Sequence, residues 1–202
     1  MYIKIPIIDF RIEGKFYMKK ALMIVSVLIV AVISTACINN IAVQELNNKA
    51  AEYMQKGDYE SAMNRLQASL DLDATMYETY YNLGIAAINA KRFDKAIEAL
   101  EGGIKIKPDF ADFYYSLGLA QCELADETVD EEKVELPDDK KLAEETKEQN
   151  KAKAIELKKS GIENLTKYIE MSPDAKDKET IEELIKESND FINGDTPKEA
   201  EE

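Results

Sequence analysis

A shift of 34 residues brings two segments of this chain into register. Met76-Tyr77-Glu78-Thr79-Tyr80-Tyr81-Asn82-Leu83-Gly84-Ile85-Ala86 aligns with Phe110-Ala111-Asp112-Phe113-Tyr114-Tyr115-Ser116-Leu117-Gly118-Leu119-Ala120. Such a period marks an array of supersecondary units, each too small to bury its apolar face alone and so obliged to stack on a neighbour. Residue chemistry makes the units helical. Gly and Pro are sparse, Ala, Leu, Ile, Lys and Glu dominate, and no window sustains apolar/polar alternation with β-branched enrichment. An all-α fold without strands is expected.

Within one unit, Tyr80 and Leu83 are three residues apart on one helical face. Gly84 and Ala96 are small where two antiparallel helices are expected to cross, and Pro108 stops the second helix. Tyr80, Leu83, Gly84, Ala96, Leu100 and Pro108, repeated in part by Tyr114, Leu117 and Gly118, resemble the signature of the tetratricopeptide repeat. The resemblance implies an α-solenoid of helical hairpins, with one complete repeat at residues 77–110. Residues 43–76 read as a more degenerate first repeat: Leu46, Ala50, Tyr53, Gly57, Tyr59, Ala62 and Leu66 fit, while Lys49 and Ala74 depart.

The third repeat, residues 111–173, is interrupted by an acidic insert at about 125–155, and its second helix resumes around Lys158 to Ser172, with Gly161, Leu165 and Pro173 in the expected relative spacing. Asp126 to Asp139 holds eight acidic residues and one Lys, the composition of a solvated loop. From Lys140 the sequence predicts a helix that extends the hairpin backward. Residues 177–193 place Ile181, Leu184, Ile185 and Ile192 at helical spacing, as a capping helix does. Residues 194–202 read as a disordered acidic tail.

The N-terminal region carries an address. From Met18 the chain gives Lys19 and Lys20, an uncharged run from Ala21 to Ala36, then Cys37, which is the order of an export signal. Ile33-Ser34-Thr35-Ala36-Cys37 resembles a bacterial lipobox, with Ser34 where leucine is more usual. The resemblance implies a signal peptide at 18–36, cleavage before Cys37, lipid attachment at the Cys37 thiol and a short linker at 37–42. An ordinary cleaved signal and an uncleaved anchor remain open beside it. The uncharged run is 16 residues, against about 20 for a comfortable span. Residues 1–17 carry Asp9 and Glu13 ahead of the signal and read as an upstream extension before the true start at Met18.

The formal charge is −14. The first 36 residues hold five Lys/Arg and two Asp/Glu, so the remainder carries 21 basic and 38 acidic side chains, a charge of −17. Such a surface repels phosphate backbones, so nucleic acid is not an expected partner. The chain has no histidine, the commonest general base near neutral pH, and Cys122 has no activating neighbour in sequence. The insert lacks the glycine turn and alternating oxygen ligands of a calcium loop. No catalytic residue, metal or cofactor is expected.

Tetratricopeptide arrays bind extended or helical segments on the concave surface of their first helices. Carried over by position, the resemblance implies a groove of Asn47, Ala51 and Met54 from the first hairpin, Tyr81, Asn82, Ile85 and Asn89 from the second, and Tyr115, Leu119 and Glu123 from the third. Tyr80 and Tyr114 are expected in the core. Of the clamp by which some members grip a C-terminal carboxylate, only Asn82 matches; Asp112 and Ser116 stand where basic residues are needed. The expected function is a membrane-anchored scaffold or adaptor, not an enzyme, that binds a protein or peptide partner in an assembly of the bacterial cell envelope. The rival is an extracytoplasmic enzyme or ligand-sensing lipoprotein using carboxylates of the insert.

Overall fold

The computed structural model describes residues 10–130 and 132–194, with the side chains of residues 10–19 and 28–39 outside the description. Seven helices follow one another among these residues: α1 (Phe10–Gln55), α2 (Tyr59–Leu72), α3 (Tyr77–Asn89), α4 (Phe93–Ile106), α5 (Ala111–Val129), α6 (Lys140–Met171) and α7 (Lys178–Asn193). Each packs chiefly on the helix before and the helix after it, and α3 also meets α5. The result is a linear array of antiparallel hairpins, α1/α2, α3/α4 and α5/α6, closed by α7. No strand occurs among the described residues.

The turns follow from local chemistry. Gly57 leaves α1 with φ 74°, a left-handed conformation that costs glycine little. The side chain of Asp58 then caps α2 by accepting from the Ser61 amide at 3.1 Å, satisfying a donor that the helix leaves unpaired. Asp139 caps α6 in the same way, accepting from the amides of Lys141 and Leu142. Gly194, φ 78°, ends α7.

Helix crossings are set by glycines. A Cβ on Gly84 would lie 2.6 Å from Leu100, and one on Gly118 would lie 2.7 Å from Leu165. Gly84 meets Leu100, and Ala96, the other small residue expected at this crossing, is fully buried. The same Gly-on-Leu crossing in hairpins two and three shows that the insertion lengthens the third hairpin without altering its register. Ala50, Ala62, Leu66, Leu83, Leu100, Phe113 and Leu117 belong to one continuous core from α1 to α5. A second cluster of Cys122, Leu165 and Ile181 seats α7, with Tyr115, Tyr168, Leu184 and Ile185 around it.

Two stretches differ from the sequence reading. Residues 37–42, read as a linker, are helical within α1; the stretch has no Gly or Pro to break the helix, and Val43 just beyond it is 2% exposed. Asp126 to Val129, read as loop, is the last turn of α5. Ala125 is buried there, Asp126 pairs with Lys158 of α6, and the Thr128 hydroxyl donates to the Leu124 carbonyl, so tertiary contacts outweigh the acidic composition. The turn itself, 130–139, is only partly solvated. Val134 and Leu136 fold back with Val129 and Phe191 around a small apolar cavity.

Among the described residues no helix is long and apolar enough to cross a membrane. The side chains of 28–36 and of Cys37, residues 1–9 and the tail 195–202 lie outside the described residues.

Candidate functional site

The repeat places the first helices α1, α3 and α5 along one side of the array. Between α1 and α3, Gln44, Asn47, Asn48, Met76, Glu78, Thr79 and Asn82 line an open hollow of about 380 Å³. Asn47 bridges its floor: its amide nitrogen donates to Ser69 Oγ at 3.1 Å and its amide oxygen accepts from Thr79 Oγ1 at 3.3 Å. Ser69 and Thr79 are both buried, so Asn47 ties α1 to α2 and α3 and is not free for a ligand. Among the described residues, Gln44, Asn48 and Asn82 have no intramolecular side-chain partner. Their amides offer donors and acceptors to whatever enters.

Farther along, the groove becomes aromatic. Tyr81 packs edge-on against Phe110 and Phe113 at centroid distances of 5.3 and 5.7 Å, and Tyr77 joins the same cluster. Tyr115 lies 5.2 Å from Tyr168 of α6. Both groove tyrosines are therefore half-buried packing residues that retain an exposed part. Burial first, and then the Asp112 carboxylate, push the Tyr81 phenol above its usual range, against the Ser116 hydroxyl. Burial and then Asp177 do the same to Tyr115.

The other expected groove residues are distributed unevenly. Ile85 and Leu119 are half-buried on α3 and α5, while Ala51, Asn89 and Glu123 are exposed. Asn89 donates to the Ile85 carbonyl within its own helix at 2.8 Å. Met54 packs on the main core.

The expected core pair divides. Tyr114 is 4% exposed, its hydroxyl donates to the Pro108 carbonyl at 2.9 Å, and Lys167 lies 4.1 Å over its ring. Tyr80, by contrast, is half-buried and lines a hollow of about 570 Å³ between α2 and α4 with Glu60, Met63, Leu70, Lys95 and Glu98. Gly102 is the reason: with no side chain there, the Tyr80 ring settles on bare backbone, where a Cβ would lie 2.7 Å away. Sequence reasoning missed this second hollow, because Gly102 meets Tyr80 from the facing helix.

Several carboxylates of the insert have structural partners. Lys133 pairs with Asp130 at 3.4 Å and Glu127 at 3.5 Å, and Asp130 also accepts from the Glu132 amide. Among the described residues no cluster of His, Cys, Asp and Glu has the makings of a metal site. Cys122 is 2% exposed with Sγ 3.6 Å from Ser188 Oγ, and burial raises its thiol pKa above the usual value. That is the environment of an inert thiol.

Hairpins in this order, with small residues at each crossing, decide the comparison with known proteins. Residues 53–122 match the tetratricopeptide repeat. Solved tetratricopeptide domains share the fold. The first such domain of Spaghetti (RPAP3), bound to an HSP90 peptide, is 13% identical with a TM-score of 0.54 over 75% of this chain and 93% of that one. The Arabidopsis OM64 domain is 15% identical with a TM-score of 0.54 over 74% of this chain and 96% of its own. The second example in complex with a partner, TPR2B of yeast Sti1 with pHsp70, is 17% identical with a TM-score of 0.50 over 74% of this chain and 97% of its own. No curated protein matches the sequence. The chain is a tetratricopeptide-type array in fold.

Proposed function

We propose that this chain is a membrane-anchored scaffold that binds a segment of a partner protein in its groove, within an assembly of the bacterial cell envelope. The observation that carries the reading is the face spanning α1 and α3, where Gln44, Asn48 and Asn82 present amides without intramolecular partners among the described residues, beside a hollow of about 380 Å³. Unpaired amides in a preformed depression suit a peptide backbone, whose own donors and acceptors they satisfy. Neighbours of the same fold hold peptides, among them the HSP90 peptide on the first domain of Spaghetti. Anchoring rests on the basic, apolar and small-residue order of 18–36 followed by Cys37. Acyl chains on Cys37 hold the array at a bilayer, since each buried methylene contributes about 0.8 kcal/mol.

Both parts are tested in the native host. Cys37→Ala is expected to abolish palmitate incorporation and to move the protein out of the membrane fraction; a chain that stays lipid-labelled contradicts the anchor. Glu78→Lys/Asn82→Lys places two cations in the hollow without touching the core. It is expected to lose the co-purifying partner at unchanged melting temperature, and full retention of the partner contradicts the groove.

A further inference from the structure

The groove changes chemistry along its length in step with the repeat. Asn47, Tyr81 and Tyr115 are equivalent positions 34 residues apart, so an amide in α1 gives way to phenols in α3 and α5. Tyr168 of α6 extends the series, its ring 5.2 Å from Tyr115 and tilted by 41°. Its phenol donates to Asp177 Oδ1 at 3.3 Å, just ahead of α7. Asp112, exposed in the first turn of α5, stands three residues before Tyr115 on the same face of the helix.

Three of the cations that border this stretch are engaged elsewhere. Lys107 lies 4.9 Å over the Tyr77 ring and 3.9 Å from Asp109. Lys167 covers Tyr114, and Lys178 pairs with Glu182 at 3.9 Å. Tyr115 and Tyr168 thus form a half-buried aromatic pair with Asp112 and Asp177 beside it, and Tyr81 continues the same face one repeat earlier.

We propose that this half of the groove is a subsite for an arginine side chain carried by an extended segment of the partner protein. The inference rests on the groove-binding reading above and adds the chemistry of what enters. A cation within about 6 Å of a tyrosine ring centroid is attracted by the negative face of the ring. Carboxylates beside that ring supply charge-assisted hydrogen bonds. Guanidinium meets both needs at once, because it is planar, stacks on rings and presents a fork of donors to a carboxylate. The strongly acidic surface favours the approach of such a segment and disfavours anionic lipid as the occupant.

The test uses the full chain in detergent micelles and a fluorescein-labelled peptide of alternating alanine and arginine, compared with the same peptide carrying citrulline. Arginine peptide is expected to bind and citrulline peptide to bind at least about tenfold more weakly, a loss of about 1.4 kcal/mol. Asp112→Asn/Asp177→Asn is expected to weaken the arginine peptide by a similar factor, as is Tyr115→Leu, whereas Tyr115→Phe keeps the ring and keeps most of the affinity. Glu135→Gln/Asp138→Asn removes the same charge from the α5–α6 turn and is expected to change affinity less than about twofold. Equal losses from the two charge-removing pairs, no loss from Asp112→Asn/Asp177→Asn, or no binding by the wild type each overturn the subsite. Melting curves confirm that each variant is folded before it is scored. Photo-crosslinking from Asn82 separates the two levels: a native partner segment joined there without Arg overturns the subsite alone, whereas the absence of any protein crosslink removes the groove reading itself.

Discussion

Lys91 holds φ 55° in the turn between α3 and α4, at the place that Gly57 occupies one repeat earlier with φ 74°. A left-handed backbone costs a residue with a Cβ about 1–2 kcal/mol, and glycine gives back part of that through its greater freedom when unfolded. Lys91→Gly is therefore expected to stabilise the array by about 0.5 kcal/mol in thermal melts, and Gly57→Ala to destabilise it although nothing lies within 4 Å of the added carbon. Gly103 presents the opposite case. Its backbone is helical, but a Cβ would lie 2.1 Å from Phe113 Cζ, and Gly103→Ala is expected to cost about 1–3 kcal/mol through overpacking. Urea titration checks the value, and Phe113→Leu in the same chain should recover part of it. Such positions mark the limit of what the sequence makes legible. The Leu83-Gly84 and Leu117-Gly118 pairs announced themselves by repetition, whereas the half-exposure of Tyr80 depends on Gly102 in the facing helix, a pairing that no spacing along the chain encodes.

At the level of the element, α5 and α6 are held together beyond the ordinary repeat by a charge placed inside the array. Lys158 has a side chain 6% exposed and pairs at 2.8 Å with Asp126, itself 59% exposed, while its ammonium also lies 5.9 Å from the Phe191 ring of α7. Removing the carboxylate strands a buried cation. Asp126→Ala is expected to cost about 1–2 kcal/mol, less than for a wholly buried pair because water still reaches the aspartate. Lys158→Met, which takes the charge away altogether, is expected to be nearly neutral; a loss as large as that of Asp126→Ala contradicts this account of the pair. The third hairpin was legible in part for a physical reason. Gly161 and Leu165 keep the spacing of their counterparts because they must meet α5 wherever the chain re-enters the array. Acidic composition from 126 to 129 misled because four residues at a helix end follow their packing, not their charge. Residues 37–42 misled in the other sense, since a helix without Gly or Pro simply continues.

Over the whole molecule, one face passes from an amide in α1 to phenols in α3 and α5. Tyr81 and Tyr115 have phenol pKa values raised in the fold, chiefly by burial and then by Asp112 and Asp177 respectively. Folding therefore favours their neutral forms. The contribution is fully present below the unfolded tyrosine value of about 10 and is lost as pH rises through the higher folded values. Melting temperature is expected to fall above pH ~10, and to fall less in Tyr81→Phe/Tyr115→Phe. The array was legible from the 34-residue period, but the packing roles along its first-helix face were not. Asn47 is drawn into Ser69 and Thr79, which belong to two other helices, and both tyrosines spend part of their rings on neighbouring helices. The central claim, that a partner segment lies along α1, α3 and α5, is tested most directly by placing a photo-crosslinking amino acid in turn at Asn48 and Asn82 in the groove and at Asn64 and Glu98 on the opposite hollow, then irradiating native membranes. The account predicts that both groove positions join one protein through contiguous residues of a single extended segment and that Asn64 and Glu98 do not. Crosslinks to a common protein from Asn64 and Glu98, with none from Asn48 and Asn82, would contradict it and move the binding surface to the hollow between α2 and α4.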